Sequence, residues 1–163
     1  MKQLEYLMIH ATMTPAGRVV TADDIKDWHK SPPPRGNGWS RVGYADMIHI
    51  SGKYQNLHAY NGDEFVDPQE RTWGAKGFNS ITRHVVLVGG ADADLRPKDT
   101  RTREQKAALR NYIFIQLQLN PYLKVLGHNQ VNPNKSCPCF DVPAWLKGIG
   151  VPLKNIVEGN LWQ

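Results

Sequence analysis

RHVVLVGG, residues 83–90, is the stretch on which the fold turns. Val85 to Val88 form a short apolar run closed by Gly89-Gly90, which predicts a strand. Upstream, LEYLMIH (residues 4–10) reads as a second buried strand. Between the two, Thr21 is placed to cap a helix over Ala22 to Lys30, with acids in its first turn and Ile25 and Trp28 on one face. Pro32-Pro33-Pro34 end that helix and open a loop through Gly38. Gly43 to Leu57 predicts two strands around Ser51-Gly52-Lys53, and Asn61 to Asn79 reads as loop. Downstream of the central run, Asp92 to Asp99 is loop-like. Thr102 and Gln105 then make a capping box for the longest helix, which carries Ala108, Tyr112, Ile115 and Leu119 at helical spacing and stops at Asn120-Pro121. Leu123 to Leu126 predicts a short strand, and Pro143 to Gly148 a small helix carrying Trp145. Strands alternating with helices in this order predict an α/β fold: a central mixed β-sheet flanked by helices, in a single domain over residues 1–163.

Composition narrows the class further. Charged residues at 21% and a hydrophobic share of 40% exclude a disordered tail, a coiled coil and a collagen-like fibre. No apolar run approaches the ~18 residues of a bilayer span. Glu5 and His10 interrupt what would be the apolar region of a signal peptide, so synthesis in the cytoplasm without a leader is expected. A net charge of +5 favours a polyanionic partner, either nucleic acid or an acidic cell wall. The basic residues form no compact run; the stretch from Arg96 to Lys106 also holds Asp99 and Glu104 and reads as a solvated face. The 2 cysteines, Cys137 and Cys139, flank Pro138, a spacing too short for an unstrained disulfide. Metal ligand, nucleophile and buried thiol remain open for each.

Among the 6 histidines, two stand out by position. His10 closes the first strand, and strand ends are where α/β folds place their sites. His128 follows the strand at Leu123 to Leu126, and Cys137 comes soon after in a proline-pinned loop. If the two strands are neighbours, His10, His128 and Cys137 supply the three ligands of a catalytic zinc site. A Cys/His nucleophilic pair, with either cysteine and either histidine, and a purely structural role for both thiols are the alternatives. The stronger zinc spacings HExxH and CxxC are absent, as are a nucleotide-binding GxGxxG and a GxSxG elbow.

Several blocks, in order, carry a resemblance. Met8-Ile9-His10-Ala11-Thr12, Asp27-Trp28-His29, Gly38-Trp39-Ser40 with Val42-Gly43-Tyr44, and Ala75-Lys76-Gly77-Phe78-Asn79 leading into Val85 to Gly90 are followed by Gly127-His128, Pro133, Lys135 and Cys137-Pro138-Cys139-Phe140-Asp141. Over about residues 6 to 146 the chain resembles the phage-lysozyme-type N-acetylmuramoyl-L-alanine amidases and their relatives, the peptidoglycan-recognition proteins. The resemblance implies a zinc hydrolase that cuts the amide between N-acetylmuramic acid and L-alanine, with one zinc in a surface groove at the sheet edge. Carried over position by position, the ligands are His10, His128 and Cys137, and the catalytic residues are Tyr44 and Lys135. Trp39, Trp73 and Asn79 are the candidate substrate contacts. An endolysin of this kind, without a separate wall-binding domain, is expected to be a monomer that acts on peptidoglycan after release, with no nucleic-acid or membrane partner.

Two positions depart from that pattern. Many relatives carry a histidine directly after the tyrosine, where this chain has Ala45, and another just before the Ala-Lys-Gly loop, where it has Gly74. The second normally faces the cleft, so Gly74 is expected to weaken a contact to substrate. The Pro-rich loop from Ser31 to Gly38 is longer than usual and is expected to reshape one wall of the groove. A non-catalytic muropeptide binder of the same fold is the alternative reading, although loss of the thiolate would have marked it and Cys137 is present. A regulator that binds another protein is a third.

Overall fold

A computed structural model describes residues 1–162. In chain order the elements are β1 (Lys2–Gln3), β2 (Tyr6–Ala11), β3 (Thr14–Pro15), α1 (Ala22–Lys30), β4 (Asp46–Ile48), β5 (Tyr54–Asn56), β6 (Phe65–Val66), β7 (Thr82–Leu87), β8 (Gly90–Ala91), α2 (Arg103–Leu119), β9 (Lys124–Gly127) and α3 (Val142–Gly148). The stretch that opened the sequence reading is β7, the middle strand of a five-stranded sheet ordered β5-β4-β7-β2-β9. Strands β4, β7, β2 and β9 run parallel, while β5 returns antiparallel to β4 through the expected hairpin. The mixed sheet with flanking helices is therefore as expected. Among the described residues no helix is long and apolar enough to cross a membrane.

Period-2 alternation sorts the two faces of the sheet. On one side Leu7, Ile9, Val85, Leu87 and Val125 pack against Leu109, Tyr112 and Ile113 of α2 and Val142 and Leu146 of α3. On the other side Met47, Val86 and Val88 pack against Ile25 of α1, and Met8 against Leu126 and Ala75. Both long helices start at the predicted caps, and at Thr21, expected only as an N-cap, the structure adds a capping box like that at Thr102. The Thr21 hydroxyl accepts from Asp24 N–H, and Asp24 accepts from Thr21 N–H in return; Thr102 and Gln105 do the same. Gln105 then donates through Nε2 to Val88 O at 2.9 Å, which ties the start of α2 to the end of the central strand.

Two expectations about detail are corrected. Residues 61–79 are not wholly loop, because Phe65–Val66 pairs antiparallel with Lys2–Gln3. The stripe expected on α2 is displaced: Ile115 and Leu119 are 53% and 57% exposed, and the buried face is Gln105, Leu109, Tyr112, Ile113 and Gln116. The helix is apolar on both flanks from Tyr112 to Leu119, so spacing alone did not fix its rotation. The polar Gln105 and Gln116 lie inside because each finds a partner there; Gln116 Oε1 accepts from Arg83.

The loop that matters for the site is held from two directions. Asp141 caps α3 by accepting from Ala144 N–H at 2.9 Å. The Arg101 guanidinium sits 3.2 Å from the Phe140 ring centroid and 4.8 Å from that of Trp145, paired with Asp99. This cation–π stack fastens the segment after Cys139 to the start of α2.

Candidate metal centre and its cleft

Parallel pairing brings the two singled-out histidines side by side. Ile9 pairs with Gly127, so His10 and His128 occupy the C-terminal ends of adjacent strands, with ring centroids 4.7 Å apart. Gly127 is required by close packing, because a Cβ there would lie 2.6 Å from Asn129 Oδ1 and 2.8 Å from Pro138 Cδ. The following loop folds back on itself through Lys135 N–H to Asn132 O and Asn129 N–H to Cys137 O. It returns Cys137 to the end of β2, where Sγ accepts from Ala11 N–H at 3.1 Å.

His10, His128 and Cys137 offer one ligand atom each, all within 4.8 Å of one another. His10 Nδ1 and Cys137 Sγ are 3.8 Å apart. Tetrahedral zinc with its usual Zn–N and Zn–S lengths sets such a pair about 3.5 Å apart, so this pair is within a few tenths of an ångström of ligand spacing. Two imidazoles and a thiolate, with a cleft on the fourth side, are the donor set of a catalytic zinc. Cys139 does not join them; its Sγ contacts Met13 Sδ at 3.1 Å.

Burial dominates the electrostatics of the cluster. Burial, followed by the neighbouring His84 and His128, holds His10 well below its usual 6.5. Burial and then Lys135 bring His128 to about 4. Both rings are therefore neutral and have a lone pair to donate. Burial pushes the Cys137 thiol up to about 12, against the opposing hydrogen bond from Ala11. With no positive ion beside it the sulfur keeps its proton; a bound divalent cation reverses that preference.

Beside this cluster lies a cleft of about 240 Å³ whose walls include Trp39, Tyr44, Trp73, His128, Lys135 and Cys137. Tyr44 packs at 5.0 Å from the His10 ring, and burial followed by Cys137 keeps its phenol protonated far above 10. Lys135 is exposed at the rim. Asn37 and Trp39, at the end of the Pro-rich loop, supply part of one wall, as that loop's length suggested. Asn79 lies outside this lining and holds the approach loop instead, its Oδ1 accepting from Ala75 N–H at 2.8 Å.

Sequence reasoning passed over two histidines here. His29 lines the cleft, stacks on Trp39 at 5.0 Å and accepts through Nδ1 from Gly43 N–H at 3.0 Å. His84, wholly buried on β7, places Nδ1 2.9 Å from His10 Nε2. A histidine directly before the apolar run Val85 to Leu87 was the available signal for the second.

His29 carries a pH prediction. Burial lowers its pKa from 6.5 to about 4, so as pH falls the unfolded chain takes up the proton first. Its contribution to stability is complete above about pH 6.5 and is lost progressively towards pH 4. Tm should fall through that window in the wild type and fall less in His29→Asn, whose amide oxygen replaces Nδ1 as acceptor and does not titrate. Equal falls in both would remove His29 from the account.

No family model matches the chain. It is 30% identical over 146 residues to the endolysin of Enterobacteria phage K11, covering 90% of this chain and 87% of that protein. With the endolysin of Klebsiella phage KP32 it shares 32% identity over 145 residues, covering 88% and 86%. Among solved structures it resembles the N-acetylmuramoyl-L-alanine amidase LysC from Clostridium intestinale with a TM-score of 0.70 at 17% identity, covering 93% of this chain and 88% of that one. Drosophila PGRP-LB gives a TM-score of 0.68 at 20% identity, covering 98% and 86%. These structural similarities establish a common fold.

Proposed function

The chain belongs to the family of phage endolysins that includes those of phages K11 and KP32, and from that premise we propose that it is a zinc-dependent N-acetylmuramoyl-L-alanine amidase acting on the bacterial cell wall. Its reaction is hydrolysis of the amide between the lactyl group of N-acetylmuramic acid and L-alanine in peptidoglycan. The observation that carries this reading is the convergence of His10, His128 and Cys137, drawn from distant parts of the chain, beside a cleft that also holds Tyr44 and Lys135.

His10, His128 and Cys137 would hold the ion. Zinc supplies Lewis acidity, polarising the scissile carbonyl and lowering the pKa of water towards neutrality. The other groups belong to the chain. Lys135 donates to the carbonyl oxygen as negative charge develops on it. Tyr44, kept a phenol by burial, is a second donor in the same cleft and helps to orient the attacking water. Trp39 and Trp73 offer flat faces for sugar rings; Trp73 is 39% exposed. The net charge of +5 favours residence on an acidic wall, and the protein works as a monomer.

Lys135→Ala is expected to keep fold and zinc while losing about 10²–10³ in rate, the usual effect of removing one oxyanion donor. An unfolded variant would reassign Lys135 to a structural role. The function itself is tested by mass spectrometry of products from purified peptidoglycan, with and without a zinc chelator. Free stem peptides beginning at L-alanine, absent when chelator is present, are the expected result. Intact peptidoglycan from several wall types, with one zinc bound per chain, would overturn hydrolysis in favour of binding.

A further inference from the structure

His84 is fully buried against a proposed ligand, and the metal reading leaves it unused. Strands β2 and β7 pair Met8 with His84 and His10 with Val86, so alternation puts both imidazoles on the same face of the sheet. His84 is fully buried, and its Nε2 has no hydrogen-bond partner among the described residues. Its Nδ1 meets His10 Nε2 at 2.9 Å. A hydrogen bond between two imidazoles has one donor and one acceptor, so the contact has two forms. In one, His84 donates and the His10 proton sits on Nδ1, the atom that faces Cys137 Sγ. In the other, His10 Nε2–H donates to His84 and Nδ1 presents a lone pair to the site. Only the second lets His10 bind a metal through Nδ1.

We propose that His84 is a positioning residue for the metal centre, accepting the His10 Nε2 proton so that Nδ1 of His10 is held, in orientation and in tautomer, as a ligand. The inference rests on the zinc reading above. Ligating histidines are ordinarily fixed in this way by an acceptor on the second ring nitrogen, most often a carboxylate or carbonyl. Among the described residues no carboxylate hydrogen-bonds His10, and a second imidazole takes that place.

Gly74 completes the arrangement. A Cβ at position 74 would lie 2.5 Å from His84 Nδ1 and 2.6 Å from its Cγ, with Gly43 O at 2.7 Å. The glycine that departs from the family pattern is thus the residue that makes room for His84. The imidazole expected from the approach loop is replaced by one from the central strand, serving the ligand and not the cleft.

Two measurements on the full chain test this. Zinc affinity is read by competition with a chromogenic chelator in wild type, His84→Phe and His84→Asn. His84→Phe keeps bulk but removes the acceptor and should bind about 10–100-fold more weakly, the usual effect of losing such a partner. His84→Asn places an amide oxygen near Nδ1 and should stay within about threefold of wild type, a rescue that a merely space-filling role would not produce. Long-range ¹H–¹⁵N spectra of zinc-free wild type should show His10 protonated on Nε2, a reading that needs no variant to fold. Equal zinc affinity in wild type and His84→Phe, or a His10 proton on Nδ1, overturns the positioning role and leaves the amidase reading intact. A wild-type chain that takes up no zinc overturns both.

Discussion

Cys137→Ser is expected to lose tight zinc binding and to lower peptidoglycan hydrolysis by more than the ~10²–10³ typical of a single transition-state donor. The side chain is 6% exposed and its Sγ faces His10 Nδ1 and accepts from Ala11 N–H. Serine offers a shorter reach and an oxygen that stays protonated, so the thiolate that complements a divalent cation is gone while the two imidazoles remain. The fold should survive, because Cys137 lies in a loop held by neighbouring backbone hydrogen bonds and by the Arg101 stack. Zinc content after dialysis against a weak chelator gives the first reading, and stem-peptide release the second. Cys139→Ser is the internal control: with its sulfur against Met13 it should keep zinc and activity. Full zinc and full rate in Cys137→Ser would sink the metal mechanism, and equal losses in both variants would mean that both sulfurs bind.

Asp46→Ala is expected to be the most destabilising single change, at about 3–5 kcal/mol. Asp46 is fully buried and its two oxygens accept from Tyr54 Oη, Asn56 Nδ2, Tyr60 Oη and Tyr112 Oη, the whole acceptor capacity of a carboxylate. These donors are unequal. Tyr54 is 48% exposed and can turn to water, and Asn56 has backbone acceptors as well. Tyr112 is 7% exposed on the buried face of α2, and its hydroxyl would be stranded at about 1–3 kcal/mol. Weakened contacts to Tyr60 and the vacated volume add the remainder. At the ~2–4 °C per kcal/mol expected for this size, Tm should fall by roughly 10 °C. Tyr112→Phe, which removes one donor and leaves the acceptor partly satisfied, should cost only about 1 kcal/mol. Urea titration separates the two, and similar midpoints for Asp46→Ala and wild type would remove the network from the account of stability.

Much of this was legible before any coordinates. The caps at Thr21 and Thr102 located both long helices because a side chain satisfying its own helix end is a local event. The strands at residues 6–11 and 82–87 were readable from short apolar runs, and the donor set from strand ends together with a resemblance. What stayed hidden depends on rotation and pairing. Which flank of α2 turns inward is decided by partners for Gln105 and Gln116, which lie on other elements. The two-residue pairing of Phe65–Val66 is too short for any periodicity to register. His84 did not stand out among the 6 histidines because its significance exists only once β7 lies beside β2. Gly74 read as a lost cleft contact because the atom that excludes a side chain there lies in another strand.

Positions 74 and 84 therefore cannot be altered independently. A histidine introduced at 74 while His84 remains meets an occupied volume, and shortening His84 while Gly74 remains leaves a void beside a ligand. Each single change should be unfavourable and the double exchange close to neutral, so the effect of each substitution depends on the residue present at the other position. Along any lineage joining the two arrangements the intermediate sequence is the least fit, so one arrangement or the other should persist for long periods. An attempt to engineer this cleft by copying one residue from a relative starts from that intermediate.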